Sequence, residues 1–257
     1  MKTNRFCILI LVLFFQLNYV TAEDFKVIRQ LTGPAETNSY LIYDVKSKEA
    51  ALIDPGWRPD SLIEFVDKNG LKLKYLFITH GHTDHIFGVP AIKKQFPEVK
   101  LCIEKHEYEN MFTLFQWLKD TFGQAVIDKQ KSNPVTKAYI EFDPNTIGKP
   151  DIFVEENQTF TLGFLEIKTI YTPGHAPGEV SYYTGNILFS GDVLFYRSVG
   201  GYKYQDSSKE DLIKSVRKLY KMCPDSTIVY PGHGQFTNIG SEKEGNEDIS
   251  MDKENLE

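Results

Sequence analysis

Seven consecutive residues, Thr79 to His85 (THGHTDH), restrict what this chain can fold into more than any other stretch. They gather three of its six histidines and one aspartate onto a single short segment. Histidine is the commonest side-chain metal ligand, and a loop this dense in nitrogen and oxygen donors can serve more than one ion. Immediately before it, Leu73 to Ile78 alternates and then becomes continuously apolar, the pattern of a strand entering a buried sheet. After it, Phe87, Ile92 and Phe96 are interrupted by Lys93, Lys94 and Gln95, which predicts a short helix with Pro90 near its start. The fold must therefore present this loop between a buried strand and a helix.

At 257 residues, with 41% hydrophobic content, the chain can bury the core of one α/β domain or of two small ones. Its first 22 residues stand apart. Lys2 and Arg5 precede an apolar run from Phe6 to Phe15, and Val20-Thr21-Ala22 closes the stretch. This pattern predicts a secretory signal peptide over residues 1–22, cleaved after Ala22, with an uncleaved membrane anchor as the rival reading. The run is short for a spanning helix. A secreted or periplasmic protein without stable membrane association follows from that expectation. Cleavage removes Lys2 and Arg5 and no acid, so the formal charge moves from −6 to −8. An acidic chain of this kind offers no electrostatic footprint for nucleic acid.

Outside the leader, Cys102 and Cys223 remain, in a strand-like run and after a helical one, and are expected as buried or semi-buried free thiols. Asn157-Gln158-Thr159 is a glycosylation sequon. Strands are predicted over 25–31, 39–44 and 49–53, then a helix over 58–69 ended by Gly70. A helical pattern covers 105–122, and further strands are expected over 152–155, 159–162, 164–170, 180–183, 187–190 and 227–230, with a helix over 208–222. One domain thus spans 23–240. Residues 241–257 hold seven acidic and two basic residues with only Ile249 and Leu256 to bury, so they are expected as an acidic flexible tail.

Three later motifs complete the donor set. YTPGHAPG places His175 in a turn after a strand, SGD places Asp192 likewise, and YPGHG places His233. Loops at strand ends are where a rigid sheet holds ligands drawn from distant parts of a chain. His80, His82, Asp84, His85, His175, Asp192 and His233 make seven donors, too many for one tetrahedral ion and suited to two.

With THGHTDH, TPGHAPG, SGDVLF and YPGHG in this order, the chain resembles the metallo-β-lactamase superfamily, and specifically the glyoxalase II-like hydrolases, over roughly Phe25 to Gly240. The resemblance implies an α/β fold of four layers, an αββα sandwich with the metal site at one edge. It implies that His80, His82 and His175 bind one ion, that Asp84, His85 and His233 bind the second, and that Asp192 bridges them. Two Zn2+ ions are expected, with iron or manganese as alternatives. Asp54, in LIDPG, matches an aspartate that lies beside the site in relatives, and Asn38 and Tyr40 match a family strand with a structural role.

The reaction expected from such a site is hydrolysis of a small-molecule acyl substrate, with a bridging hydroxide attacking the acyl carbon. Asp84 or a metal-bound water is the candidate acid. Thiols, with a pKa of about 8.5, leave as anions, so a thioester suits the site better than an amide. Gly201 stands where relatives commonly carry Arg or Lys, with Lys203 two residues on. The alternatives are a persulfide dioxygenase with one iron on His80, His175 and Asp192, a metallo-β-lactamase, or a metal-binding protein without turnover. Among other candidates, His106 is expected at the surface. Phe164, Ile167 and Ile170 are expected in the core. Tyr196, Tyr202 and Tyr204 form either a packed loop or a substrate-facing wall.

Overall fold

The computed structural model describes residues 20–21, 24–113, 116, 120, 133, 137–139 and 141–249. In the first sheet β1 (Val20–Thr21), β2 (Phe25–Thr32), β3 (Thr37–Asp44) and β4 (Glu49–Ile53) pair antiparallel. β5 (Lys72–Phe77), β6 (Lys100–Glu104) and β7 (Ile152–Val154) then add in parallel. Parallel neighbours need crossovers. α1 (Asp60–Lys68) supplies the first, and α2 (Thr83–Ile86) with α3 (Val89–Gln95) the second. α1 forms because Leu62 and Val66, four residues apart, give it one buried face, while Asp60 and Lys68 complement the dipole at its two ends. Residues 105–113 are helical, and most of 114–122 lies outside the described residues.

The second sheet begins as a meander of β8 (Thr159–Leu162), β9 (Leu165–Tyr171), β10 (Val180–Thr184) and β11 (Ile187–Gly191). A two-stranded ribbon of β12 (Leu194–Phe195) and β13 (Ser198–Val199) follows. α4 (Lys209–Met222) then crosses back, so that β14 (Ile228–Pro231) runs parallel to β11, and β15 (Thr237–Asn238) closes the edge. Ser208 caps α4 by accepting from Asp211 N.

Three buried clusters define four layers. Tyr40, Ile42, Ala51, Ile53 and Phe77 of the first sheet meet Phe160, Ile167, Tyr182 and Phe189 of the second. Leu41, Tyr43, Ala50 and Leu52 point the other way and pack on Leu62, Val66 and Ile92 of the helices. β3 is buried along its whole length because each face has its own core. On the far side Ile170, Leu188 and Val229 pack against Leu212, Val216 and Leu219 of α4. This is the expected αββα sandwich. Cys102 and Cys223 are free thiols buried in two different cores.

Two expectations are corrected. The segment predicted as a flexible tail starts instead with α5 (Ile239–Gly245), and Ile239, Glu242, Asn246 and Ile249 are buried at helical spacing. Glu242 is fully buried because its carboxylate accepts from Thr237 Oγ1 at 2.6 Å, Arg197 N at 2.9 Å and Asn246 Nδ2 at 2.9 Å. Residues 250–257 and Glu23 lie outside the described residues, as do 1–19 and 22 of the predicted leader; Val20 and Thr21 are seen only as the edge strand β1. Phe164 is 55% exposed. It sits on the β8–β9 turn, one residue before Leu165 and Ile167 begin to alternate into the core, and touches Phe25 at a centroid distance of 6.4 Å.

Glu242→Ala leaves three donors around the α5 anchor without their acceptor, so a loss of about 3 kcal/mol is expected in urea denaturation. Retention of full stability would mean that this carboxylate does not anchor the segment.

Candidate metal centre

β4 and β5 are parallel neighbours in the first sheet, as are β11 and β14 in the second. β9 points the same way as β11, because both run antiparallel to β10. The loops leaving these strands carry Asp54, the 79–85 segment, His175, Asp192 and His233, so the topology delivers every candidate donor to one edge of the sandwich. All seven predicted residues come together there. Three overlapping groups have donor atoms within 4.8 Å of one another: His80, His82 and His175; His80, His85 and Asp192; and Asp84, His85 and His233. His82 Nδ1 lies 3.0 Å from His175 Nε2, and His85 Nε2 lies 3.3 Å from His233 Nε2. Asp192 faces both clusters, with Oδ2 3.5 Å from His175 Nε2 and 3.4 Å from His233 Nε2. Gly232 is required here, since a Cβ would sit 2.1 Å from Asp192 Oδ1.

Four of the five imidazoles are turned by a partner on Nδ1, which orients the ring and aims Nε2 into the site. His85 Nδ1 donates to Asp54 Oδ2 at 3.0 Å, His175 Nδ1 to the Gly201 carbonyl at 2.6 Å, and His233 Nδ1 to the Ala35 carbonyl at 3.0 Å. Thr79 Oγ1 donates to Asp54 Oδ2 at 2.7 Å and so accepts from His80 Nδ1 at 3.0 Å. Asn38 Nδ2 and Tyr40 Oη both donate to the Pro231 carbonyl, pinning the His233 loop. His80 Nε2 and Asp192 Oδ1 are buried with no hydrogen-bond partner. Buried polar atoms are rarely left so, and two orphans converging on neighbouring donors fit cations. The donor set therefore suits metal.

Protonation divides the cluster. Burial, reinforced by neighbouring histidines, holds His80 well below the ordinary imidazole range and His82 at about 3, so both are neutral. For His85 burial also opposes charge, but the carboxylates of Asp84, Asp192 and Asp54 outweigh it and raise the group to about 9. The same contest, decided by hydrogen bonds to Asp192 and Asp84, lifts His233 to about 11. Burial works to raise Asp192, yet His85 and His233 hold it at about 2. Asp84 is likewise held below the ordinary carboxylate range. Its side chain is 20% exposed and that of His233 27%, against 0% for His80 and His85, so the site opens on the Asp84 side.

A family model described as the metallo-beta-lactamase superfamily matches residues 32–233. The chain belongs to that superfamily. Hydroxyacylglutathione hydrolase GloC of Haemophilus influenzae is 31% identical over 215 residues, which cover 82% of this chain and 92% of the relative. The crystal structure of BLEG-1 B3 metallo-beta-lactamase is 30% identical, with a TM-score of 0.68 over 86% of this chain and 98% of that one. TTHA1623 in a di-iron-bound form is 26% identical, with a TM-score of 0.67 over 86% and 99%. This superfamily chain is accordingly a metal-dependent hydrolase of glyoxalase II-like type.

Three buried glutamates of the centre have no counterpart among the residues singled out in the sequence. Glu179 Oε1 accepts from Asp192 N at 2.6 Å and lies 3.5 Å from His80 Nδ1; burial, then the Asp192 charge, raises it well above the ordinary range. It directly follows the TPGHAPG motif, the one signal that could have found it. Glu107 binds two loop N–H groups and is pushed up to about 7 by burial against those donors. Glu104 accepts from Glu107 N. Neighbouring His106 is exposed, as expected. The three tyrosines divide: Tyr204 packs its ring on His82 and His175 at 4.7 and 5.3 Å, Tyr202 packs on the outer core, and Tyr196 is exposed.

Asp54→Asn removes the negative charge that helps keep His85 protonated. In metal-free protein the His85 titration followed by NMR is expected to fall by about one pH unit, and an unmoved midpoint would discount Asp54 as its partner.

Proposed function

We propose that the chain is a two-metal hydrolase of thioesters and related esters. His80, His82 and His175 would hold one ion, Asp84, His85 and His233 would hold the other, and Asp192 would serve both. The observation that carries this reading is the convergence of seven donors into overlapping groups, with two buried donor atoms left without a hydrogen bond. An all-nitrogen-and-oxygen donor set suits zinc, and also iron, in keeping with the similar di-iron-bound TTHA1623. Bound there, two ions supply an activated water near neutral pH and a Lewis acid for the acyl oxygen.

The remaining chemistry falls to the chain's own side chains. Asp84 is ionised, is fixed by the Thr37 hydroxyl at 2.8 Å, and lies at the open side of the site, where its carboxylate can take a proton from the attacking water. An ionised Asp84 has no proton to give at the start of the reaction. A leaving group that departs as an anion is therefore favoured, and thiolates do so more readily than amines. Tyr204, tilted against the His82 ring and edge-on to that of His175, forms the wall a substrate would meet. The similarity to GloC favours an acyl group carried on a thiol. The one-iron dioxygenase reading leaves the tight group of Asp84, His85 and His233 without a role. Cleavage of a β-lactam is a second reading, favoured by the 30% identity to BLEG-1. Export belongs to the same proposal, resting on the pattern of residues 1–22; the mature protein should then begin at Glu23 on N-terminal sequencing.

Zinc-loaded protein should hydrolyse thioesters, lose that activity to a chelator and regain it with zinc, while Asp84→Ala lowers kcat at least about 100-fold. Failure to turn over any thioester, lactone, phosphoester or β-lactam, with Asp84→Ala indistinguishable from wild type, would sink the reading.

Metal uptake should also release protons. His85 and His233, raised to about 9 and about 11, are charged at pH 7.5, and a metal takes only the neutral imidazole. Calorimetry in buffers of different ionisation enthalpy should find roughly two protons expelled per protein, with affinity rising as pH rises. A pH-independent affinity would contradict these two residues as ligands.

A further inference from the structure

Glu107 belongs to none of the three donor groups, yet its carboxylate spans the two loops that carry His82 and His175. Oε2 accepts from Gly81 N at 2.8 Å and Oε1 from Gly178 N at 2.7 Å. Gly81 lies between His80 and His82, and Gly178 lies three residues after His175. The residue is 2% exposed. A carboxylate buried this deeply costs desolvation, offset here by charge-assisted bonds to two backbone donors that would otherwise be stranded.

The support beneath it is equally specific. Glu104, at the end of β6, accepts from Glu107 N at 3.1 Å and so caps the helix over residues 105–113, fixing Glu107 in its first turn. The fit leaves no slack, since a Cβ at Gly178 would lie 2.1 Å from Glu104 Oε2 and one at Gly81 would lie 2.7 Å from the Glu107 carbonyl oxygen. Asp84, His85 and His233 depend on other partners, namely Thr37, Asp54 and Ala35.

We propose that Glu107 is a positioning residue that locks the His80–His82 loop to the His175 loop, and so sets the affinity of one of the two metal ions and not of the other. It rests on the reading of His80, His82 and His175 as the ligands of that ion. A clamp that acts on one pair of loops weakens one ion selectively, whereas a residue that merely stabilises the fold weakens both together.

Metal-free wild type, Glu107→Gln, Glu107→Ala and His175→Ala are titrated with Zn2+ in competition with a chelator, and with Co2+ followed by absorption. Gln keeps the shape of Glu but offers one acceptor oxygen to two N–H donors, so it tests the clamp even where Ala disturbs folding. In both Glu107 variants one equivalent of metal should bind about 10–100-fold more weakly, with its Co2+ spectrum altered, while the other is unchanged. His175→Ala should weaken the same equivalent. Two equivalents of wild-type affinity in Glu107→Gln, or equal weakening of both, overturns the clamp. A wild type that takes fewer than two equivalents, or a His175→Ala variant that binds as wild type does, overturns the ligand reading and the clamp with it.

Discussion

Val180 N donates to the Thr79 carbonyl at 2.9 Å and Asn38 N donates to the Gly232 carbonyl at 2.7 Å, and these two backbone bonds join the two sheets where the donors gather. Tyr182 Oη, bonded to the Ile78 carbonyl, and Tyr40 Oη, bonded to the Pro231 carbonyl, reinforce the same seam. The aromatic inter-sheet core of Phe77, Tyr182 and Phe189 sets the separation, and the hydrogen bonds set the registration at the edge. With both fixed, the loops need almost no length. His80 comes three residues after the end of β5, Asp192 one after β11 and His233 two after β14. Short loops on packed strands have little freedom to lose, which is how donors from four parts of the chain stay within contact of one another.

So many buried ionisable groups would be prohibitive if each were uncompensated. The centre balances itself. Asp84 and Asp192 remain ionised because His85 and His233 carry protons beside them, while His80 and His82, disfavoured as cations by burial and by neighbouring histidines, stay neutral. Asp54 contributes twice over, orienting His85 and accepting from both Thr79 N and Thr79 Oγ1. The carboxylates that hold the two imidazolium protons are also the groups a divalent cation would seek, and such a cation would take the place of those protons. Positive φ at Asp54, +48°, shows the backbone strain accepted to aim that carboxylate inward.

The four-layer fold and all seven donors were legible because each sits in a short motif directly after an apolar strand, where local pattern and tertiary position coincide. Glu107 is not legible in the same way, since nothing in the sequence beside His106 says that this glutamate reaches backbone amides 26 and 71 positions away. Composition alone makes residues 241–249 look solvated, because it counts Glu242 as an exposed charge. A carboxylate with three donors at hand can be buried, and Ile239 and Glu242 share one face of α5, with buried Asn246 as its C-cap. Phe164 was misplaced by its neighbours, since position on a turn rather than hydrophobicity decides its exposure.

The same distinction explains why the reaction class is more firmly read than the substrate. Donors for a metal must converge to within a few ångströms, and only strand ends under rigid sheets achieve that, so their motifs recur and are recognisable. A substrate is met by side chains above the donors, and Tyr204 reaches that position from an irregular segment after the β12–β13 ribbon, with no motif of its own. Gly201 gives His175 its hydrogen-bond acceptor through a backbone carbonyl, which any residue type could supply. The side chain at that position can therefore change what lies above the donors while leaving the orientation of His175 untouched. The orientation of a donor and the surface above it are thus carried by different atoms of the same loop, and one can vary without the other.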